Sequence, residues 1–114
     1  MSRRGNKAFL QDIQEAIQRI GAYTAKVRYG EFLDDQKTQD AVIRNLEIVG
    51  EATKNLSAQV RAAYPDIPWK EMAGVRDRLI HDYFGVNLDI VWQIVTVELP
   101  GVGAQIAAII DGQS

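Results

Sequence analysis

Phe9–Leu10–Gln11–Asp12–Ile13–Gln14–Glu15–Ala16–Ile17–Gln18–Arg19–Ile20 spaces its apolar side chains three and four residues apart. An α-helix turns once in 3.6 residues, so this spacing gathers Phe9, Leu10, Ile13, Ala16, Ile17 and Ile20 on one face. A strand would need strict alternation, which is absent. With Val27 extending the face, the pattern predicts an amphipathic helix from about Asn6 to Arg28, ended by Gly30. A second helix is expected after Leu33, with Asp34 or Asp35 as its N-cap, running to about Leu56. Val42, Leu46, Val49 and Thr53 share its face, flanked by Ala41, Ile48 and Ala52. That arc is too wide for one partner helix, and both ordinary core and an isologous homodimer interface account for it. Gly50 in mid-helix costs about 1 kcal/mol relative to Ala, which points to a close helix–helix approach there.

Ser57 caps a further short stretch to about Ala63. Tyr64–Pro65–Asp66–Ile67–Pro68–Trp69 is the one strong break, and Pro68 suits a first helical turn, where its missing N–H is no loss. Pro68 to Phe84 reads as helical with an interruption near Gly74, and Gly85 stops it. Asn87 caps a last helix through Leu88, Ile90, Val91, Ile94, Val95 and Val97. Pro100 and Gly101 kink or restart that helix, which ends near Ile110. The expected fold is all-α: an up-and-down bundle of four to five helices, in one domain over residues 1–114.

Composition narrows the function classes. A chain of 114 residues buries roughly two-thirds of the surface it exposes when unfolded, and 46% apolar with 25% charged residues is ordinary for a globular protein. There is no cysteine and one histidine, which rules out disulfides and thiolate metal sites and disfavours structural zinc, so no cofactor and no metal are expected. The basic start Arg3, Arg4, Lys7 reads as a solvated end and not as a signal peptide. No stretch approaches 18 apolar residues, so a cytoplasmic protein without membrane association is expected. Net charge is −2 and pI about 5.3, although residues 1–30 carry six basic side chains against Asp12 and Glu15 alone. Generic coating of nucleic acid is disfavoured, whereas a local cationic cleft, or one completed on dimerisation, is compatible with this balance.

The chemistry-bearing stretch is Val75–Arg76–Asp77–Arg78–Leu79–Ile80–His81–Asp82–Tyr83–Phe84, an Arg-x4-His-x-Tyr pattern around the single histidine. An unperturbed imidazole titrates near pH 6.5 and exchanges protons freely around neutrality. A guanidinium offers two-pronged donation to phosphate oxygens that Lys does not copy. Five residues on an ideal helix turn through about 140°, so Arg76 and His81 do not share one face. A site using both needs a distorted helix end or two protomers. The plainer readings are that Arg76 pairs with a carboxylate such as Asp82, that Arg78 forms an i,i+4 pair with Asp82, and that Tyr83, Trp69 and Trp92 are packing residues. Arg44, Glu47 and Glu51 form either a surface ion-pair ladder, slightly favoured, or a polar cleft lining.

Beyond that motif, Phe9-Leu10-x-Asp12-Ile13-x-x-Ala16-Ile17-x-x-Ile20, Asp40-Ala41-Val42-x-Arg44-x-Leu46-Glu47-x-x-Gly50-Glu51-Ala52, Pro65-x-Ile67-Pro68-Trp69, Val91-Trp92 and Leu99-Pro100 stand in order along the chain. Together with Gly74-x-Arg76-x-x-Leu79-Ile80-His81-x-Tyr83-Phe84 they give a sequence that resembles the HepT-like toxins, a branch of the HEPN superfamily. The resemblance implies a dimerising helical bundle with Arg76 and His81 lining a cleft at the two-fold axis. It implies metal-independent RNA cleavage in a toxin–antitoxin system, restrained by a minimal nucleotidyltransferase antitoxin that adds AMP to Tyr83. Two positions depart from the pattern. Asp77 replaces the commoner Asn, which weakens phosphate attraction yet supplies a carboxylate four residues before His81. Asn87 replaces a frequent Asp. Asp77 and Arg78 are thus candidate supporting residues beside Arg76, His81 and Tyr83. The competing expectation is a non-catalytic helical adaptor that presents substrate or nucleotide to a nucleotidyltransferase, a reading that the acidic pI and Asp77 slightly favour, whereas the intact motif favours the nuclease.

Overall fold

The computed structural model describes residues 5–80 and 85–112. Among them are helices α1 (Asn6–Thr24), α2 (Tyr29–Leu33), α3 (Gln36–Lys54), α4 (Ala58–Ala63), α5 (Trp69–Ala73) and α6 (Val75–Leu79). The last helix, α7, runs through Leu88–Gln93, a π-helical turn at Ile94–Glu98 and Leu99–Gly112. The described residues hold no strand, only an isolated antiparallel bridge between Ile80 and Val86. The fold is all-α.

The core shows how the chain threads. Leu10 and Ile13 of α1 pack in one cluster with Val49, Ala52, Trp69, Met72, Ile106 and Ile109. Ile20 packs in another with Val42, Leu46, Val75, Leu79, Val91 and Leu99. As α1 ascends from the first cluster to the second, α3 descends, α5 and α6 ascend, and α7 descends. A side-chain clasp ties the base: Asn6 Nδ2 donates to Ser57 Oγ at 3.2 Å, and Ser57 N donates to Asn6 Oδ1 at 3.0 Å. The result is an up-and-down arrangement of four arms, the third broken in two at Gly74.

Several expected boundaries hold. Asp35 caps α3 by accepting from Thr38 N at 3.1 Å, Ser57 caps α4, and Asn87 caps α7 by accepting from Ile90 N at 3.2 Å. Gly50 is the close approach: a Cβ there would lie 3.0 Å from Val75 Cγ1 and 3.3 Å from the Met72 carbonyl oxygen. Its missing side chain lets the broken third arm cross α3 nearly backbone to side chain.

Three expectations are corrected. The first helix ends at Thr24, where Lys26 takes a left-handed φ of 61°, and Gly30 lies inside α2 and does not end a helix. The cause is burial: α2 drives Phe32 into full burial, its ring centroid 5.0 Å from that of Trp92. Gln39 Nε2 caps the end of α2 by donating to the carbonyls of Phe32 and Leu33 at 2.9 and 3.1 Å. Second, the helix expected to reach Phe84 stops at Leu79. Ile80 is extended, with ψ 129°. Asn87 N donates to the Leu79 carbonyl at 2.7 Å, and Gly85 adopts φ 75°, a conformation that side-chain-bearing residues rarely take. Third, Pro100 does not restart the last helix, which runs on through it from Leu88 to Gly112. Leu99 N–H donates to the Ile94 carbonyl five residues back, widening the turn just before a proline that has no N–H and whose ring crowds the preceding turn.

Residues Leu88–Gly112 form a helix long and apolar enough, by length and composition, to cross a membrane, with a mean hydropathy of 1.5 over an 18-residue window. The core helix of a bundle meets the same criterion. Here Val91, Ile94, Val95, Leu99, Val102, Ile106 and Ile109 are buried against the other arms.

Candidate functional site

Arg76 stands exposed on α6, between the buried anchors Val75 and Leu79. It borders a cleft of about 250 Å3. One wall is the α3 stripe Arg44, Glu47, Glu51 and Lys54; the other is Ala73, Val75 and Arg76, with Gly50 between them. The four α3 residues lie at i, i+3, i+7 and i+10, so an ideal helix holds them within an arc of roughly 80°. No ion pair joins Arg44, Glu47 and Glu51 among the described residues. The ladder reading is therefore set aside, and the cleft lining is the arrangement found. Arg44, Glu47 and Glu51 also border a second cleft of about 230 Å3 toward α1, whereas Lys54 and Arg76 border only the first of these two clefts.

Arg78 has a partner the sequence did not suggest: its guanidinium grips Glu98, with Nη1 3.0 Å from Oε1 and Nη2 2.9 Å from Oε2, whereas Asp82, its expected i,i+4 partner, lies outside the described residues. This two-pronged pair fastens the five-residue α6 to the π turn of α7. The Arg78 hydrogen bonds hold the Glu98 carboxyl below its ordinary value, with burial opposing. A carboxyl whose folded pKa is depressed stabilises the fold above its unfolded value, about 4.3, and loses that contribution as pH falls through the folded value. Both side chains are about one-third exposed, so solvent screening limits the pair to about 1 kcal/mol. Glu98→Gln is expected to lower stability by about that much at pH 7 and by clearly less at pH 3. Urea melts at both pH values measure this, and an equal loss at each would contradict the assignment.

Asp77 is exposed on the first turn of α6. The helix that would carry Asp77 toward His81 ends at Leu79, and Ile80 is extended. His81, Asp82 and Tyr83 lie outside the described residues, as do Arg3 and Arg4. Trp69 is a packing anchor whose Nε1 donates to the Tyr64 carbonyl at 2.9 Å. Trp92 stacks against Tyr29 and Phe32. Two residues went unread in the sequence. Lys54 had a usable signal, since it continues the helical stripe of Arg44, Glu47 and Glu51. Glu98 had none, because its partner is twenty residues away across a turn of unusual pitch.

The chain matches the family described as Ribonuclease HepT-like over residues 13–109. It is 48% identical over 98 residues to a Thermococcus cleftensis protein named "Probable ribonuclease HepT", covering 86% of this chain and 89% of that one. It is 49% identical over 100 residues to a Methanocaldococcus jannaschii protein named "Putative RNase", covering 88% and 83%. A Caldanaerobacter subterraneus protein with the same kind of name is 40% identical over 101 residues, covering 89% and 87%. No solved structure matches the chain. On the strength of a family match across nearly its whole length, the chain belongs to the ribonuclease HepT-like family.

Proposed function

We propose that this protein is a metal-independent endoribonuclease, the toxin of a toxin–antitoxin pair, working as a homodimer on cytoplasmic RNA. The observation that carries the reading is Arg76: an exposed guanidinium on a short, firmly anchored helix, bordering a cleft with two further cations, five residues before the only histidine. The family match and the names of the relatives supply the reaction class. In that reaction a base removes the proton from a ribose 2′-hydroxyl, and O2′ attacks the adjacent phosphorus. The P–O5′ bond breaks, and the departing oxygen takes a proton from an acid. The products are a 2′,3′-cyclic phosphate and a 5′-hydroxyl. His81 exchanges the protons, and Arg76 donates to the non-bridging oxygens as charge builds. With one imidazole per chain, a dimer supplies one base and one acid.

Purified protein free of antitoxin is expected to cut RNA in the presence of a metal chelator and to leave cyclic-phosphate ends. No cleavage under generous conditions would instead favour the adaptor reading. Control is proposed to act at Tyr83, through AMP transfer by a nucleotidyltransferase antitoxin. Intact-mass measurement after incubation with that partner and ATP should show one added AMP that Tyr83→Phe lacks. An adduct retained by Tyr83→Phe would place the modification elsewhere.

A further inference from the structure

The cleft beside Arg76 contains more than a phosphate clamp requires. Along α3, Arg44 and Lys54 stand about 15 Å apart, at 1.5 Å per residue, and two carboxylates, Glu47 and Glu51, lie between them on the same stripe. Were the cleft only a track for a polyanion, those carboxylates would oppose it. An ionised carboxylate accepts hydrogen bonds and donates none, so beside RNA it is favourable only opposite a donor. A single RNA strand offers two kinds: the ribose 2′-hydroxyl, and the N–H groups of bases that are not already paired. In a duplex the Watson–Crick donors are occupied.

We infer that the α3 stripe is a subsite for single-stranded RNA next to the reacting phosphate. Arg44 and Lys54 take backbone phosphates at its two ends. Glu47 and Glu51 accept from the 2′-hydroxyl and the unpaired base edge between them. This rests on the nuclease reading for its substrate, but it concerns binding and is tested by binding. The two carboxylates between the cations interrupt a continuous phosphate track, so the strand presents its sugar and base side to the middle of α3. The subsite thereby selects RNA over DNA and unpaired over paired strands.

The test uses full-length His81→Ala protein, which binds without the proposed acid/base, and three short fluorescein-labelled probes of one sequence: single-stranded RNA, the RNA duplex and single-stranded DNA. Fluorescence anisotropy should show single-stranded RNA bound several-fold tighter than either alternative. Adding Arg44→Gln and Lys54→Gln should raise its Kd about tenfold and reduce the salt slope of log K by about 1.4, or 0.7 for each lost phosphate contact. Adding Glu47→Ala and Glu51→Ala, which remove both acceptors, should bring the RNA and DNA affinities together. All four side chains lie at the cleft surface, and circular dichroism confirms that the variants fold. An unchanged Kd and salt slope in the Arg44/Lys54 variant, or duplex bound as tightly as single strand, would overturn the subsite. Failure of the wild-type protein to cut RNA would instead overturn the nuclease reading, and the binding results would still decide this one.

Discussion

His81→Ala is expected to slow metal-free RNA cleavage by about 10²–10⁴-fold, the range lost when a positioned acid/base is removed. No other side chain in the sequence has an unperturbed pKa near neutrality, so no neighbour replaces it. Arg76→Ala should cost about 10²–10³-fold, typical of one donor to a developing oxyanion. Arg76→Lys should fall between, because an ammonium keeps the charge but not the planar fork. Initial rates on one labelled RNA, with chelator present and all proteins matched for thermal stability, give the comparison. Cleavage by His81→Ala at the wild-type rate would remove this motif from the chemistry. Equal activity of Arg76→Lys and wild type would show that charge alone matters at that position.

Phe32→Ala should be the most damaging single truncation for stability, at about 3–5 kcal/mol. Phe32 is the largest fully buried side chain among the described residues and belongs to the same cluster as Val75 and Leu79, the anchors of α6. Its ring packs against Trp92 of α7, so truncation leaves a cavity between α2 and the last helix, lined by groups on separate arms that do not easily close it. For a domain with about 5–15 kcal/mol of net stability, that loss unfolds a large part of the population on mild heating. Phe32→Leu keeps most of the volume and should cost clearly less. Equilibrium denaturation in urea measures both, and a Phe32→Ala loss below about 1 kcal/mol would mean that the cluster collapses around the gap.

The long helices were legible because their buried faces are written as three- and four-residue spacings, a property of each helix alone. Leu10, Ile13, Ala16 and Ile20 are buried as their spacing requires, and so are Val42, Leu46, Val49 and Thr53. The side-chain caps at Asp35, Ser57 and Asn87 were legible for the same reason, since a cap bonds within three residues of itself. So was Gly50, whose cost inside a helix signals a neighbour that comes too close for a side chain. The family likewise follows from residues in their linear order.

What only the tertiary structure decided are the places where distant groups outbid local preference. Residues Tyr29–Leu33 coil into α2 because Trp92 and the core receive Phe32, although Gly30 by itself reads as a stop. The third arm ends at Leu79 because Asn87 and Val86 return to satisfy Leu79 and Ile80. Glu98 meets Arg78, twenty residues away in sequence, because α6 and α7 pack side by side. The cleft too is tertiary: Arg76 and the α3 stripe are separate amphipathic patterns until Gly50 lets their helices touch. Local spacing specifies which face of a helix is apolar, but which face meets which is a matter of packing and of long-range hydrogen bonds.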